Sequence, residues 1–497
     1  MLLLNFLRKS AEKYPDKAVV VYQKTRLTYK ELDDSSNGFA STLIEKKVKK
    51  GDRVVLFIDN SCDYLIAYFG ISKTEAIIVA LNSQLVPREL AVLLNDCAPK
   101  VIVTDKKHKK VVEDALALIN QDIAVLQIDA LDYSENHEPL AMSYELSDSG
   151  LALIIYTSGT TGKPKGVMLS HGNISANADS IIEYLHLKAE DRIMVVLPFY
   201  YSYGNSLLTT HIKAGGTLII DNRFMYPNVV LDNMIKEEVT GFAGVPSHFN
   251  ILIKKSAIAK YSFPKLRYVT QAGGAMMPAM IKEFLSIVPN TNFYVMYGQT
   301  EASARLSYLK PEYLKKKLGS IGKAIPGVEL LVLNEDGRPV KEGQIGEIVA
   351  KGYNIMQGYW NSPEETALVL KKEGLWTGDL ARVDEEGYIY LISRKKDMIK
   401  SGANRISPFE IEDIVCRLEN IVECAAVGIP DEILGEAIAL FIVTDGFIVK
   451  EQELMLFCKQ NLAVYKLPKR IECINELPKT ASGKIKREEL KKLIADS

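Results

Sequence analysis

The sequence has little of what marks several protein classes. Only six of its 497 residues are cysteines, and no two form a Cys-x-x-Cys pair, so neither a disulfide framework nor a cysteine zinc site is indicated. No apolar run approaches the roughly 20 residues that a membrane span needs. The opening segment places its apolar residues before its charges, which is the reverse of a signal peptide. We therefore expect a cytoplasmic protein with reduced, buried thiols and no integral membrane segment.

An excess of charge of either sign is also missing. Lys and Arg total 61 and Asp and Glu total 62, for a formal net charge of -1. A general nucleic-acid-binding protein would show a clear basic excess, so no nucleic-acid partner is expected. The hydrophobic content of 47% and charged content of 25% are ordinary for a globular protein. The length suggests about three structural units.

The chain carries α/β patterns throughout. Up to about residue 128, short apolar strands such as Ala18–Tyr22 and residues 53–58 alternate with helical patterns, which predicts a mainly parallel sheet covered by helices. From Val328 onward, short strands and glycine turns predict an antiparallel β subdomain or barrel. The last part, from Pro408, alternates helix and strand in a compact α+β pattern.

The most distinctive stretch is YTSGTTGKPKG, residues 156–166. It follows an apolar run that reads as a buried strand, and it combines three glycines with four hydroxyls and two lysines, which suits a polyphosphate. It is not a Walker A loop, because its glycines are too close together and Pro164 prevents a helix from starting after Lys163. A solvated turn is the alternative interpretation.

Three further segments carry candidate site chemistry. In MYGQTE, residues 296–301, an aromatic ring, a hydroxyl and a carboxylate could stack on adenine, bind a phosphate and hold magnesium. The adjacent glycines in QAGGA, residues 271–275, would let a flat ring approach the backbone, although a simple turn is equally compatible. The tyrosines of residues 200–204 could wall an apolar pocket or pack in the core.

In order along the chain, these segments resemble the adenylate-forming (AMP-binding) superfamily, which includes acyl-CoA synthetases, amino-acid adenylation domains and luciferases. The resemblance continues through LWTGD, which ends at Asp379, to PKTASGKI, which contains Lys484. It implies a large N-terminal domain, residues 1–395, with two α/β layered subdomains and a β-barrel-like subdomain. It also implies a small mobile α+β C-terminal domain, residues 396–497, that carries the catalytic lysine.

The resemblance also implies roles for individual residues. The catalytic residues would be Lys484, Thr300 and Glu301, with Glu301 also the magnesium ligand. The nucleotide would be bound by Thr157, Ser158, Gly159, Thr160, Thr161, Gly162, Lys163, Lys165, Gly274, Ala275, Tyr297, Gly298, Asp379 and Arg394. The substrate pocket would contain Tyr201, Tyr203, Gly204, His248 and Gly273, with Lys396 as the hinge and Gly402 on the side of the thiol acceptor. Two positions depart from the family pattern, since Tyr201 stands where His is common and Lys396 where Asp is frequent.

The activity implied is ATP-dependent conversion of a carboxylic acid to an acyl adenylate, followed by transfer to the thiol of coenzyme A. The alternative acceptor is the phosphopantetheine of an acyl or peptidyl carrier protein. A fatty or aromatic acid is favoured over an amino acid, because residues 199–204 offer no carboxylate to pair with a buried amine. A luciferase-like oxidation stays open. A catalytically silent nucleotide-binding regulator is disfavoured, because Thr300, Glu301, Asp379 and Lys484 are all present.

Overall fold

The structure is a computed structural model that describes residues 1–131, 147–157, 164–402, 404–418, 420–444, 446, 449–480 and 485–495. In these ranges the chain forms fourteen α-helices. They are α1 Leu4–Lys13, α2 Tyr29–Glu45, α3 Cys62–Lys73, α4 Pro87–Cys97, α5 Lys109–Leu116, α6 His171–Leu185, α7 Ser202–Ala214, α8 Pro227–Lys236, α9 Pro246–Lys255, α10 Pro278–Ile287, α11 Pro363–Val369, α12 Pro408–Val415, α13 Glu451–Asn461 and α14 Arg487–Ala495.

The helix starts follow local sequence signals. Thr28 and Glu31 form a capping box at the start of α2, which satisfies two backbone amides that the helix leaves unpaired. Six later helices, from α8 to α12 together with α4, begin with proline, whose fixed φ suits the first helical position.

The first sheet carries the hairpin that contains the glycine-rich stretch. Its seven strands run in the order β18-β8-β7-β4-β3-β5-β6. All neighbours are parallel except at β8 and β18. The strands are β3 Arg53–Phe57, β4 Ile77–Ala80, β5 Val101–Thr104, β6 Ala124–Gln127, β7 Leu151–Thr157, β8 Lys165–Ser170 and β18 Gly358–Tyr359.

The second sheet has nine strands in the order β15-β14-β13-β12-β11-β9-β10-β1-β2. It is parallel from β13 to β1, so the carboxyl ends of β9, β11, β12 and β13 meet at one edge. The strands are β1 Ala18–Tyr22, β2 Thr25–Thr28, β9 Arg192–Val195, β10 Thr217–Ile220, β11 Gly241–Gly244, β12 Tyr268–Gln271, β13 Asn292–Tyr297, β14 Ser307–Leu309 and β15 Lys323–Ala324.

Two smaller sheets follow. The third sheet has the strand order β16-β17-β20-β19, and β21 also pairs with β20. All of these neighbours are antiparallel. In the fourth, the order is β23-β22-β25-β24, with β26 parallel to β25. The strands are β16 Val328–Leu333, β17 Gly346–Gly352, β19 Leu370–Lys371, β20 Gly374–Val383, β21 Ile389–Arg394, β22 Ile399–Ser401, β23 Asn404–Ile406, β24 Ile421–Asp431, β25 Gly435–Thr444 and β26 Arg470–Cys473.

The predicted α/β class is confirmed, including the antiparallel region after Val328 and the α+β end of the chain. One detail of the expectation is wrong, because the strands at residues 18 and 53 belong to different sheets. β1 pairs with β10, with Val20 opposite Leu218, and only β3 joins the first sheet. Strand patterns alone do not reveal such a distant partner.

The thiols are mostly buried, as expected. Cys62, Cys97, Cys424 and Cys458 are buried and Cys416 is half-buried, but Cys473 is exposed at the end of β26. All six cysteines are free. In the described ranges no helix has both the length and the apolar character to cross a membrane.

Candidate active site

The glycine-rich stretch joins two antiparallel strands. Thr157 at the end of β7 pairs with Lys165 at the start of β8. The chain therefore continues as a strand and not as a helix, as Pro164 predicts. The candidate residues Ser158 to Lys163 lie outside the described residues, so their proposed phosphate contacts stay predictions.

Lys165 faces a carboxylate of its own chain. Its ammonium forms an ion pair with Glu365 of α11 and lies 5.1 Å from the centre of the Tyr359 ring. Only 10% of its side chain is exposed. Its side chain is thus held in place by two contacts within the chain.

The MYGQTE segment forms the end of β13 and a 3₁₀ turn, Thr300–Ala302. The Thr300 hydroxyl lies 3.2 Å from the Ser202 hydroxyl at the start of α7, and Glu301 Oε1 accepts a hydrogen bond of 2.9 Å from the Tyr359 hydroxyl. Gly298 is required where it stands, because a Cβ there would lie 2.0 Å from the Ala304 carbonyl oxygen. The two candidate catalytic residues of this turn are therefore both fixed by hydroxyl partners.

Asp379 and Arg394 lie opposite each other on β20 and β21. Arg394 Nε lies 3.0 Å from Asp379 Oδ1, and the Tyr297 hydroxyl donates a 2.7 Å hydrogen bond to Asp379 Oδ2. The neighbouring Asp379 has the largest effect in raising the pKa of the Arg394 guanidinium, and Tyr297 adds a smaller effect in the same direction. This cluster brings together three of the predicted nucleotide residues from the second and third sheets.

The tyrosines of residues 200–204 lie where β9 leads into α7. The Tyr203 hydroxyl binds Thr270 of β12, at 2.8 Å from its hydroxyl and 3.0 Å from its carbonyl. Burial raises the pKa of Tyr201 to about 12, so its hydroxyl stays protonated at neutral pH. The Pro198 carbonyl packs closely against Gly204, because a Cβ on residue 204 would lie only 1.9 Å from the Pro198 carbonyl oxygen.

His248 lies on α9, with its ring 4.3 Å from that of Phe224. Among the described residues its buried Nδ1 has no hydrogen-bond partner. Burial lowers the pKa of His248 to about 4, so the ring is neutral at physiological pH. A neutral ring beside an aromatic side chain suits a pocket wall.

Gly273, Gly274 and Ala275 follow β12 and are exposed. Gly273 has φ +85°, a conformation that a side chain disfavours, and Gln271 donates a 2.6 Å hydrogen bond to the Gly274 carbonyl. The loop therefore presents bare backbone at the edge where β12 and β13 end.

The remaining candidates belong to the C-terminal part of the chain. Lys396 is exposed between β21 and β22. Gly402, at φ +59°, turns β22 into β23, and its amide donates to Leu434. Lys484 lies outside the described residues, so its predicted catalytic role is untested by this geometry.

The chain matches known proteins over nearly its whole length. The family model described as AMP-binding enzyme matches residues 7–360, and the model described as AMP-binding enzyme C-terminal domain matches residues 410–484. The chain belongs to the AMP-binding enzyme family. The resemblance drawn from the motifs is thereby confirmed.

Individual relatives cover almost all of this AMP-binding enzyme. A long-chain-fatty-acid–CoA ligase of Escherichia coli is 33% identical over 98% of this chain and 94% of its own length. A feruloyl-CoA synthase of Amycolatopsis is 33% identical over 97% of both chains. The solved o-succinylbenzoate CoA synthetase of Bacillus subtilis, in complex with its acyl-adenylate intermediate, superposes with a TM-score of 0.89 at 28% identity over 98% of both chains.

Several residues of this AMP-binding enzyme's candidate site were missed at the level of sequence. Ser202, Tyr359 and Glu365 contact Thr300, Glu301 and Lys165. None of the motifs singled out in the sequence includes Tyr359 or Glu365. The pairing of β18 with β8, which is distant in sequence, brings their stretch of the chain to the site.

Proposed function

We propose that the protein is an AMP-forming acid–CoA ligase. The observation that carries this is that two tyrosines connect the candidate segments. Tyr359, which pairs with β8 of the hairpin, donates to Glu301, and Tyr297, at the end of β13, donates to Asp379 of the Asp379–Arg394 ion pair. The relatives named above are acid–CoA ligases from two substrate classes. Together these support one site for a nucleotide and an acyl group.

The reaction has two steps. In the first, a carboxylate oxygen of the substrate attacks the α-phosphorus of ATP, the bond to the pyrophosphate oxygen breaks, and an acyl adenylate forms. In the second, the sulfur of coenzyme A attacks the acyl carbon, the thiol loses its proton, and AMP leaves. The adenylate is needed because a free carboxylate has no good leaving group.

The residues present fit one magnesium ion. Glu301 uses Oε1 for the Tyr359 hydroxyl, and no donor to Oε2 is found in the described part of the chain. No cluster of three or more His, Cys, Asp or Glu side chains occurs there either, which agrees with a magnesium held by one carboxylate and by phosphate oxygens. The ion would neutralise charge on the phosphates.

We assign the other roles as follows. Asp379 would accept the ribose hydroxyls, since a carboxylate has two acceptor oxygens for a diol, and Arg394 forms an ion pair with that carboxylate. Thr300 and the glycine-rich hairpin would bind the phosphates. Lys484 would stabilise the negative charge that develops during adenylation.

We favour an apolar acid, fatty or aromatic. Tyr201 and His248 are neutral at physiological pH. Asp59, which acts on the pKa of the neighbouring Tyr200, is already bound to Lys107 and Ser83. A substrate amine would thus find no free counter-charge among these residues, and burying it would be costly.

The two half-reactions suggest a moving C-terminal domain. We place the domain boundary between residues 395 and 396, where the chain leaves β21 and an exposed lysine precedes β22. Rotation about Lys396 would withdraw Lys484 after adenylation and bring Gly402 to the thiol. Because the substrates ATP and coenzyme A are cytoplasmic, we place the enzyme there.

The test is pyrophosphate release across a panel of fatty, aryl and amino acids. We expect release with at least one fatty or aryl acid, and a thioester only when coenzyme A is added. A carrier protein in place of coenzyme A tests the alternative acceptor. Absence of pyrophosphate release with every acid would overturn the assignment.

A further inference from the structure

Tyr359 lies between two parts of the candidate site. Its strand, β18, pairs with Val167 and Met168 of β8. On either side, the Met356 amide donates to the Glu301 carbonyl at 2.9 Å and the Trp360 amide donates to the Gly166 carbonyl at 2.7 Å. This short segment therefore ties the backbone of the glycine-rich hairpin to the backbone of the Glu301 turn.

The Tyr359 side chain makes the same connection. Its hydroxyl donates to Glu301 Oε1 at 2.9 Å, and its ring lies 5.1 Å from the Lys165 ammonium. The ring is 6% exposed. One rigid aromatic side chain thus contacts the carboxylate expected to bind magnesium and the lysine at the foot of the hairpin.

The helix that follows holds both contacts in place. The Tyr359 amide donates to the Thr366 hydroxyl at 2.8 Å, and Glu365 forms the ion pair with Lys165. Both residues belong to α11. Lys165 is thus paired with Glu365 and lies over the ring, and within the described ranges the second carboxylate oxygen of Glu301 has no hydrogen-bond donor.

We propose that Tyr359 is a positioning residue for the adenylation step. Its hydroxyl orients Glu301 toward the magnesium of the bound nucleotide, and its ring fixes Lys165 relative to that carboxylate. The proposal rests on the proposed function, because it takes Glu301 as the magnesium ligand. Groups that orient a metal ligand in this way typically change metal affinity or activity by about 10- to 100-fold when removed.

Tyr359→Phe removes only the hydroxyl and keeps the ring. We expect binding of Mn²⁺ with a non-hydrolysable ATP analogue, followed by electron paramagnetic resonance, to weaken by about 10- to 100-fold. The magnesium requirement of pyrophosphate–ATP exchange should rise in parallel. Thioester formation from a supplied acyl adenylate should stay within about twofold of wild type, since that step does not use the magnesium of ATP. Tyr313→Phe, at a partly exposed tyrosine beside Tyr388, is the matched control and should change none of these.

Glu365→Gln tests the lysine half of the proposal. The substitution leaves the Tyr359–Glu301 hydrogen bond intact and releases Lys165. We expect the KM for ATP to rise about two- to fivefold, which corresponds to the free energy of a partly exposed ion pair. The affinity for Mn²⁺ should not change.

Three results would overturn the positioning role. One is wild-type Mn²⁺ affinity in Tyr359→Phe, and another is an equal loss of both half-reactions. The third is failure of Tyr359→Phe to fold, which would make the hydroxyl structural. If the wild-type protein itself released no pyrophosphate, the proposed function would fail instead, so the two failures are distinguishable.

Discussion

The Tyr297 hydroxyl shows how much a single residue contributes beyond its motif. The MYGQTE pattern predicts an aromatic face for adenine. In the structure, the same side chain also donates its hydroxyl to Asp379, which comes from a different sheet. The residue predicted to stack on adenine and the residue predicted to bind the ribose are thus joined by a direct hydrogen bond.

Tyr297→Phe keeps the ring and removes this hydrogen bond. Because the bond ends on a buried carboxylate, we expect the unfolding transition that includes the site to lose about 1.5–3 kcal/mol. We also expect a higher KM for ATP. Urea unfolding and steady-state kinetics measure both. The control is Tyr390→Phe on β21, in the same sheet as Asp379, where the Tyr390 hydroxyl lies 3.4 Å from Asp384. It should lose little, and an equal loss in both variants would contradict the special role of Tyr297.

Buried histidines make the fold sensitive to acid. The pKa of His171 is lowered to about 4, first by burial and then by the terminal ammonium, and its Nδ1 accepts a hydrogen bond from the Leu3 amide. Burial likewise lowers the pKa of His211 and of His248 to about 4. Below about pH 6.5 the unfolded chain binds protons that these folded imidazoles do not, so the free energy of unfolding falls as the pH decreases toward 4.

His171→Asn should flatten this pH dependence. Asparagine offers an acceptor but does not titrate, so the free energy of unfolding of the variant should fall less than that of wild type between pH 7 and pH 5. Over the full titration of the imidazole, the difference between the two proteins should reach at most about 3 kcal/mol. Urea unfolding at a series of pH values measures it. His186→Asn, at an exposed position with φ 51° that asparagine tolerates, is the control. An unchanged profile in His171→Asn would exclude His171 as a cause.

At the scale of elements, β7 and the absence of a helix after it were predictable, whereas the antiparallel strand β8 and its surroundings were not. The apolar run before residue 156 and the proline after Lys163 are local signals, so strand, loop and absence of a helix follow from neighbouring residues. The partner of Lys165 is Glu365, on a helix that local patterns do not connect to the hairpin. The Asp379–Arg394 contact likewise depends on the register of β20 with β21, which a bulge shifts between Leu380 and Ala381.

The turn from β9 into α7 depends on Gly204. Gly204→Ala would place a Cβ 1.9 Å from the Pro198 carbonyl oxygen, and we expect a loss of about 3 kcal/mol, the upper end for overpacking. Gly274→Ala is the paired variant, because its Cβ would meet Pro246 at an ordinary 3.4 Å. It should fold like wild type and weaken ATP binding. Thermal unfolding measures the stability of both variants, and nucleotide titration measures their ATP binding. A Gly204→Ala protein as stable as wild type would show that the turn does not require glycine at this position.

At the scale of the whole molecule, the predicted hinge has a simple test. Lys396→Pro restricts one backbone rotation, so we expect pyrophosphate–ATP exchange to survive and thioester formation to be blocked. Lys396→Ala removes the same side chain but keeps the rotation, and should support both steps. If Lys396→Pro turned over at the wild-type rate, alternation about this residue would be excluded.

Lys484 is the second whole-molecule prediction, since its motif lies hundreds of positions from the glycine-rich hairpin. Lys484→Ala should slow adenylation by about 100- to 1,000-fold, as for other lost charge-stabilising groups, and leave thioester formation from a supplied adenylate intact. Lys486→Ala, which loses only a half-exposed ion pair with Glu489, is the control. Equal loss of both steps in Lys484→Ala would contradict the assignment.

The pairing of β1 with β10 also bears on how the chain is made. Val20 and its neighbours leave the ribosome early, yet their parallel partner, centred on Leu218, is synthesised much later. Until then, the nascent hairpin β1–β2 carries an unsatisfied edge, and the sheet whose ends form the candidate site cannot close on that side. This edge of the sheet can therefore be completed only after β10 has been synthesised.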